Sequence, residues 1–287
     1  MKTRTVERLL YAETVDMGGI PVMQPFPTRQ VEQIDPFLLL HHHITHFQEG
    51  VHLRNAGVEP HPHRGFSPVT FVYKGGVHHR DSRGNNSIVY AGGTQWMNAG
   101  RGIVHSERPP HDIMEHGGVQ EIVQLWINTP AAHKMDQPSY FALHATDTPT
   151  VTTEGGKVQV VAGEFDGVSG AVRGHTPLLV LRLEAKAGAT YTLPLPQNFN
   201  AFMYLLNGAV KVDGFGLVEA LHQVIFNKDG DGVAFTVKED TQALFLAGAP
   251  LQEPLAANGP FVMNTETEVM QAMRDYRMGK MGILIED

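Results

Sequence analysis

The chain has 287 residues, 42% of them apolar and 18% charged, with 22 Lys and Arg against 30 Asp and Glu for a net charge of −8. That length corresponds to about two domains at roughly 150 residues each, the composition is globular rather than disordered, and the acidic balance gives no general attraction to nucleic acid or anionic lipid. The absence of Cys excludes disulfides, thiolate metal sites and a Cys nucleophile, while the lack of a signal-peptide core or a run of about 18 apolar residues leads us to expect a soluble, cytoplasmic protein.

In chain order, the predicted strands are 69–73, 87–90, 102–107, 119–128, 158–162, 178–183, 190–195, 201–206, 222–226, 232–237 and 243–247. They are rich in Val, Ile, Phe, Tyr and Thr. Turn signals such as Gly75-Gly76, Arg83-Gly84-Asn85, Asn207-Gly208 and Asp229-Gly230-Asp231-Gly232 separate them. Many short strands with regular turns indicate sandwiches or barrels rather than βαβ units. One helix is expected, over 266–280, with Val269, Met273 and Tyr276 at helical spacing.

The chain hints at an internal duplication. With Gly75 set over Gly208, Phe71-Val72-Tyr73-Lys74 faces Tyr204-Leu205-Leu206-Asn207, and Phe66 faces Phe199. Each copy ends in an apolar strand before a Pro, at Pro130 and Pro250. In this register His61-Pro62-His63 falls on Pro194-Leu195-Pro196, so the second copy lacks those imidazoles.

Of the 16 His, all but His175 and His222 lie at or before His144, which places any imidazole chemistry in the first half. Two short stretches stand out: Pro60-His61-Pro62-His63-Arg64-Gly65-Phe66 and Gly100-Arg101-Gly102-Ile103-Val104-His105-Ser106-Glu107. In extended chain residues i and i+2 share a face. His61 and His63 therefore point together, as do His105 and Glu107. Two such strands facing one another would gather three nitrogens and one oxygen. That set suits Fe(II), Mn, Ni, Cu or Zn and is too rich in nitrogen for Ca or Mg. A six-coordinate ion would keep open positions, whereas four-coordinate Zn would be closed and structural. Elsewhere, His41-His42-His43 cannot all face one way and is expected at a surface or metal-site rim. His78 and His79 are expected in structural or surface roles. Trp96 and Met97 are candidates for lining a substrate pocket.

The stretch from His61 to Glu107, with HPHRGF followed by QWMNAGRGIVHSE, resembles the pirin family, as does Gly259-Pro260-Phe261-Val262-Met263-Asn264-Thr265 near the C-terminus. The resemblance implies an all-β bicupin: two β-sandwich or jelly-roll barrels with a C-terminal helix packed across them. Residues 1–135 would form the metal-binding cupin and 136–287 a metal-free cupin carrying the helix. It further implies one divalent transition metal held by His61, His63, His105 and Glu107. Iron, as Fe2+, is the metal most associated with the family. The implied activity is that of a quercetin 2,3-dioxygenase acting on flavonol-like aromatics with O2, in which Glu107 is also the catalytic base. The alternative is a non-catalytic redox- or metal-sensing protein that acts through a protein partner. Neither reading involves direct nucleic-acid or membrane binding. One departure is that the family's usual Glu after Gly-Phe is Ser67 here, followed by Pro68, so no role of that carboxylate carries over.

Overall fold

The structure, a computed structural model, describes residues 1–286. It is dominated by β-strands, and its described residues hold two α-helices, His111–His116 and Glu266–Arg277. The chain forms two compact units, and neither is continuous in sequence. Met1–Leu39 joins Asp147–Leu251, and Leu40–Thr146 joins the segment from Gln252 onward. A division at 135/136 follows the chain; the units do not. Strand pairing is the reason at the N-terminus, where Val6–Tyr11 pairs antiparallel with His222–Phe226.

The unit built on 147–251 is a barrel around a filled apolar centre. Its main sheet runs Val6–Tyr11, His222–Phe226, Asn200–Val212, Gly232–Gly248, Leu178–Ala185, Gly156–Ala162, Thr150–Thr153. Alternate residues of these strands point inward, among them Leu181, Leu183, Met203, Leu205, Val224, Phe235 and Phe245, all 1% exposed or less. The two strands expected at 232–237 and 243–247 are one long strand. Exposed Lys238, Glu239 and Asp240 interrupt the apolar pattern in its middle, yet it stays paired on both sides of them. Pro194 and Pro196, which face His61 and His63 in the duplication, are exposed here.

The unit built on 40–146 is a sandwich of two sheets. One runs Val58–His63, Ile103–Arg108, Gly76–Asp81, Asn86–Tyr90. The other includes, in order, Ser139–Leu143, Thr94–Asn98, Phe66–Lys74, Gly118–Asn128 and Phe37–Phe47. The first sheet sets His105 opposite His61 in register. A bulge then shifts the pairing, so Glu107 lies opposite Val58 rather than Glu59.

The C-terminal helix belongs to this second unit. It opens with a capping box between Thr265 and Glu268. Val269 and Ala272 are buried, while Tyr276, expected on the apolar face, is 38% exposed. Asp275 takes a place on the buried face instead, because it has donors there. Arg64 Nη1 donates to it at 3.0 Å, Gln271 Nε2 at 2.7 Å and Lys280 Nζ at 2.9 Å. These bonds, Lys280 foremost, hold its carboxyl down at about 2 against an opposing desolvation effect. Arg64 Nε also donates to the Arg101 carbonyl at 2.7 Å. One guanidinium thus ties the helix to both histidine-bearing stretches. Lys134 adds a second buried tie, donating to the carbonyls of Gly65 and Val262 and to Asn128 Oδ1.

Breaking a buried ion pair by removing one partner costs roughly 3–5 kcal/mol. Asp275→Ala is therefore expected to lower the stability of this unit by that order in urea unfolding. Its folded carboxyl lies below the ordinary value, so the contribution is present above about pH 4 and is lost as pH falls toward about 2. The wild-type and variant unfolding midpoints should converge over that range.

Candidate metal centre

Strand alternation and pairing bring His61, His63 and His105 to the interior face of the sandwich. Each offers a ring nitrogen, and these atoms all lie within 4.8 Å of one another. The ring centroids of His61 and His63 are 4.7 Å apart, those of His61 and His105 4.4 Å, and those of His63 and His105 4.9 Å. His63 and His105 are buried and His61 is half-buried. The cluster is therefore dry on two sides and reachable on the third.

Hydrogen bonding decides which nitrogens are free. His61 Nδ1 lies 2.8 Å from the Glu59 carbonyl, an acceptor only, so Nδ1 carries the proton and Nε2 the lone pair. His63 Nδ1 is buried with no hydrogen-bond partner among the described residues. The two Nε2 atoms face each other at 3.1 Å, so His63 either donates a proton to His61 Nε2 or turns a second lone pair toward it. In the second state a cation is the group that relieves the repulsion of the two lone pairs. His105 Nε2 is buried with no hydrogen-bond partner among the described residues. Burial first, then the neighbouring imidazoles, holds His63 and His105 well below the ordinary imidazole value. Neutral rings with converging lone pairs are what a divalent transition metal requires, and the residues present fit such an ion.

Glu107 does not join the 4.8 Å group. Its side chain faces the interior, but Oε1 accepts from Thr70 Oγ1 and Oε2 from Gln124 Nε2, both at 2.9 Å. The bulge after His105 accounts for the offset from strict alternation. Trp96 and Met97 part company. Trp96 pairs with Val69, on the face opposite Thr70, and donates to Asn98 Oδ1. At 1% exposed it is a core residue turned away from the histidines. Met97 faces the interior but is 3% exposed and packed with Ala99, Ile103 and Tyr140. Ser67 also lies on the outward face, donating to Asn98 Oδ1. A carboxylate at that position would point away from the cluster. His42 bonds Glu121 on one face of its strand, and His41 and His43 fall on the other.

Two interior residues, Trp126 and Asp81, escaped the sequence reading, and His79 enters it only in a structural or surface role. Trp126 packs its ring 5.4 Å from His63 and 4.2 Å from Phe66, and its buried Nε1 has no partner among the described residues. His79 and Asp81 face inward beside His105. The spacing His79-x-Asp81 repeats the i, i+2 pattern of His61 and His63 and carried that signal. Trp126 had no comparable signal, since its neighbour Phe66 is 60 positions away in the chain.

Two family models match this chain: Pirin over residues 19–127 and the Pirin C-terminal cupin domain over residues 180–282. The chain belongs to the pirin family. It is similar to pirin-like protein 2 of Arabidopsis thaliana, 35% identical over 98% of this chain and 86% of that protein. Human pirin is also 35% identical, over 96% of this chain and 92% of its own length. Among solved structures, quercetin 2,3-dioxygenase from Acinetobacter baumannii is 35% identical with a TM-score of 0.92, covering 99% of this chain and 100% of that one. The bicupin expected from the sequence is thus the fold of this pirin, and its histidine cluster suits a single metal ion. Among the described residues no helix is long and apolar enough to cross a membrane.

The purified pirin is expected to hold close to one transition-metal ion per chain by elemental analysis. His61→Ala and His105→Ala should each bring occupancy near zero under the same loading conditions, with circular dichroism unchanged.

Proposed function

We propose that this pirin is an Fe2+-dependent, cytoplasmic dioxygenase of flavonol-like aromatic substrates, with His61, His63 and His105 as ligands and Glu107 as further ligand or catalytic base. The observation that carries the reading is the convergence of ring nitrogens of His61, His63 and His105 at an interior face where His61 is half-buried. The similarity to the Acinetobacter baumannii quercetin 2,3-dioxygenase supports the reaction class. The bound ion would supply Lewis acidity and a template for O2 and for the vicinal oxygens of a flavonol.

The protein's own groups supply the rest. The Glu107 carboxylate is held by two neutral donors, Thr70 and Gln124. In this reading it accepts the proton of the substrate hydroxyl, or turns from these donors to become a fourth ligand. The Trp126 Nε1–H has no partner among the described residues and can donate to a substrate oxygen, and its half-buried ring, backed by fully buried Phe66, is the aromatic surface beside His63. Fixing the substrate between that surface and the ion converts an encounter into an oriented reaction.

The test is aerobic incubation of the Fe2+-loaded chain with quercetin, following loss of its visible absorbance and release of CO. Turnover is expected, and Glu107→Gln should lower kcat by about 10²–10⁴, the usual contribution of a positioned acid–base group. Full metal loading with no consumption of any flavonol would contradict the dioxygenase and favour the metal- or redox-sensing role.

A further inference from the structure

The strand Gly76–Asp81 and the turn after it hold a hydrogen-bonded series that ends on His105. Asp81 is buried, and everything that touches its carboxylate is a donor. Oδ1 accepts from the backbone N–H groups of Arg83 at 2.8 Å and Asn85 at 3.1 Å. Oδ2 accepts from Asn85 Nδ2 at 2.7 Å. His79 Nε2 lies 3.0 Å from the same Oδ2. Burial raises this carboxyl, but the bonds from His79, Asn85 and Arg83 together outweigh it and leave it below its ordinary value. An ionised carboxylate only accepts, so His79 Nε2 carries a proton. In neutral His79 the other nitrogen, Nδ1, is then a lone pair. It lies 3.4 Å from His105 Nδ1. That contact is favourable when His105 Nδ1 carries the proton, which strips Nε2 of its own. His105 Nε2 is buried with no hydrogen-bond partner among the described residues, which leaves it as the nitrogen His105 can offer to the cluster of three.

The His79 ring is held to this task. It stacks on Tyr140 at a centroid separation of 3.9 Å and an interplanar angle of 6°. Tyr140 is in turn fixed by a 2.8 Å hydrogen bond with Ser87 Oγ on the adjacent strand. Neither His79 nor Asp81 belongs to the group whose atoms converge. Their place is behind it, on the nitrogen of His105 that an ion would not use.

We infer that Asp81 and His79 are positioning residues that lock His105 in the tautomer with its lone pair on Nε2, so that the turn of residues 81–85 sets the affinity of the histidine cluster for a divalent metal. The inference rests on the histidine cluster as the metal site but not on the reaction proposed for it. Partners of this kind, which take the far N–H of a ligating imidazole, commonly change metal affinity about 10–100-fold when removed. Asp81→Asn is the sharpest perturbation. Its Oδ1 remains the acceptor for the two backbone N–H groups, which turns the amide NH2 toward His79 Nε2. His79 must then flip its proton to Nδ1, and His105 answers with a proton on Nε2, the atom needed for the ion.

The experiment uses the full-length chain in two measurements. Long-range 1H–15N spectra of the metal-stripped protein report the tautomer of each histidine, and chelator competition with Ni2+ reports affinity. The wild type is expected to show His105 protonated at Nδ1 and His79 at Nε2. Asp81→Asn is expected to move the His105 proton to Nε2 and to weaken Ni2+ binding about 10–100-fold with the amide spectrum otherwise retained. His79→Phe keeps the stack on Tyr140 but removes the acceptor, and it should weaken Ni2+ binding without forcing the opposite tautomer. It decides the matter should Asp81→Asn not fold. A wild-type His105 protonated at Nε2, or Ni2+ affinity unchanged in the folded variants, overturns the inference. Because neither measurement uses a flavonol, absence of turnover would overturn the proposed reaction and leave this inference standing.

Discussion

The arrangement turns on three imidazole lone pairs brought together in a dry sandwich. Burial makes protonation costly, because a charged ring there loses water it cannot replace. Neighbouring rings make it costlier still. With His63 and His105 held neutral, ring nitrogens of the three histidines converge without a bound proton on each, which is unfavourable by itself. A cation is the partner that relieves both costs, since it needs neutral nitrogen donors and neutralises their mutual repulsion. The same geometry that would destabilise an isolated protein core therefore becomes a binding site, and the fold around it works to keep the rings from turning away.

That support comes from both sides of the strand Ile103–Arg108. Its inward residues carry His105 and Glu107. Its outward residues are held by the C-terminal segment: Val104 packs with Met281, the Val104 N–H donates to Ser82 Oγ, which donates to the Met281 carbonyl, and Arg108 donates to Glu286 at 2.6 Å. Arg64 ties the neighbouring histidine stretch to the helix. The second histidine stretch is thus clamped in register by protein contacts alone, which is how a site is pre-organised at modest entropic cost. The other unit follows the opposite course, filling its barrel with Leu, Val, Met and Phe.

Much of this could be read from the chain. The i, i+2 spacing of His61 and His63, and the placement of His105 on a second strand, needed only the pleat of a β-strand to converge. The turn glycines marked the hairpins, and the spacing of Val269 and Met273 marked the C-terminal helix. What escaped the sequence has specific causes. The bulge after His105, which local pattern does not encode, sets Glu107 beside Thr70 and Gln124. Trp96 looked like pocket lining because aromatic residues often are, and the pleat sends it to the other face. The strand 232–248 looked like two because three charged residues lie where it is exposed. The exchange of terminal segments between units depends on pairings between residues more than 200 apart, such as Tyr11 with His222, which no local signal carries.

The most direct test of the central claim is X-ray absorption at the K-edge of the bound metal in the purified wild-type chain. Three imidazole ligands in the extended fine structure, with their outer-ring scattering, is the predicted result. A spectrum fitted by oxygen donors alone, or by a single imidazole, would contradict it.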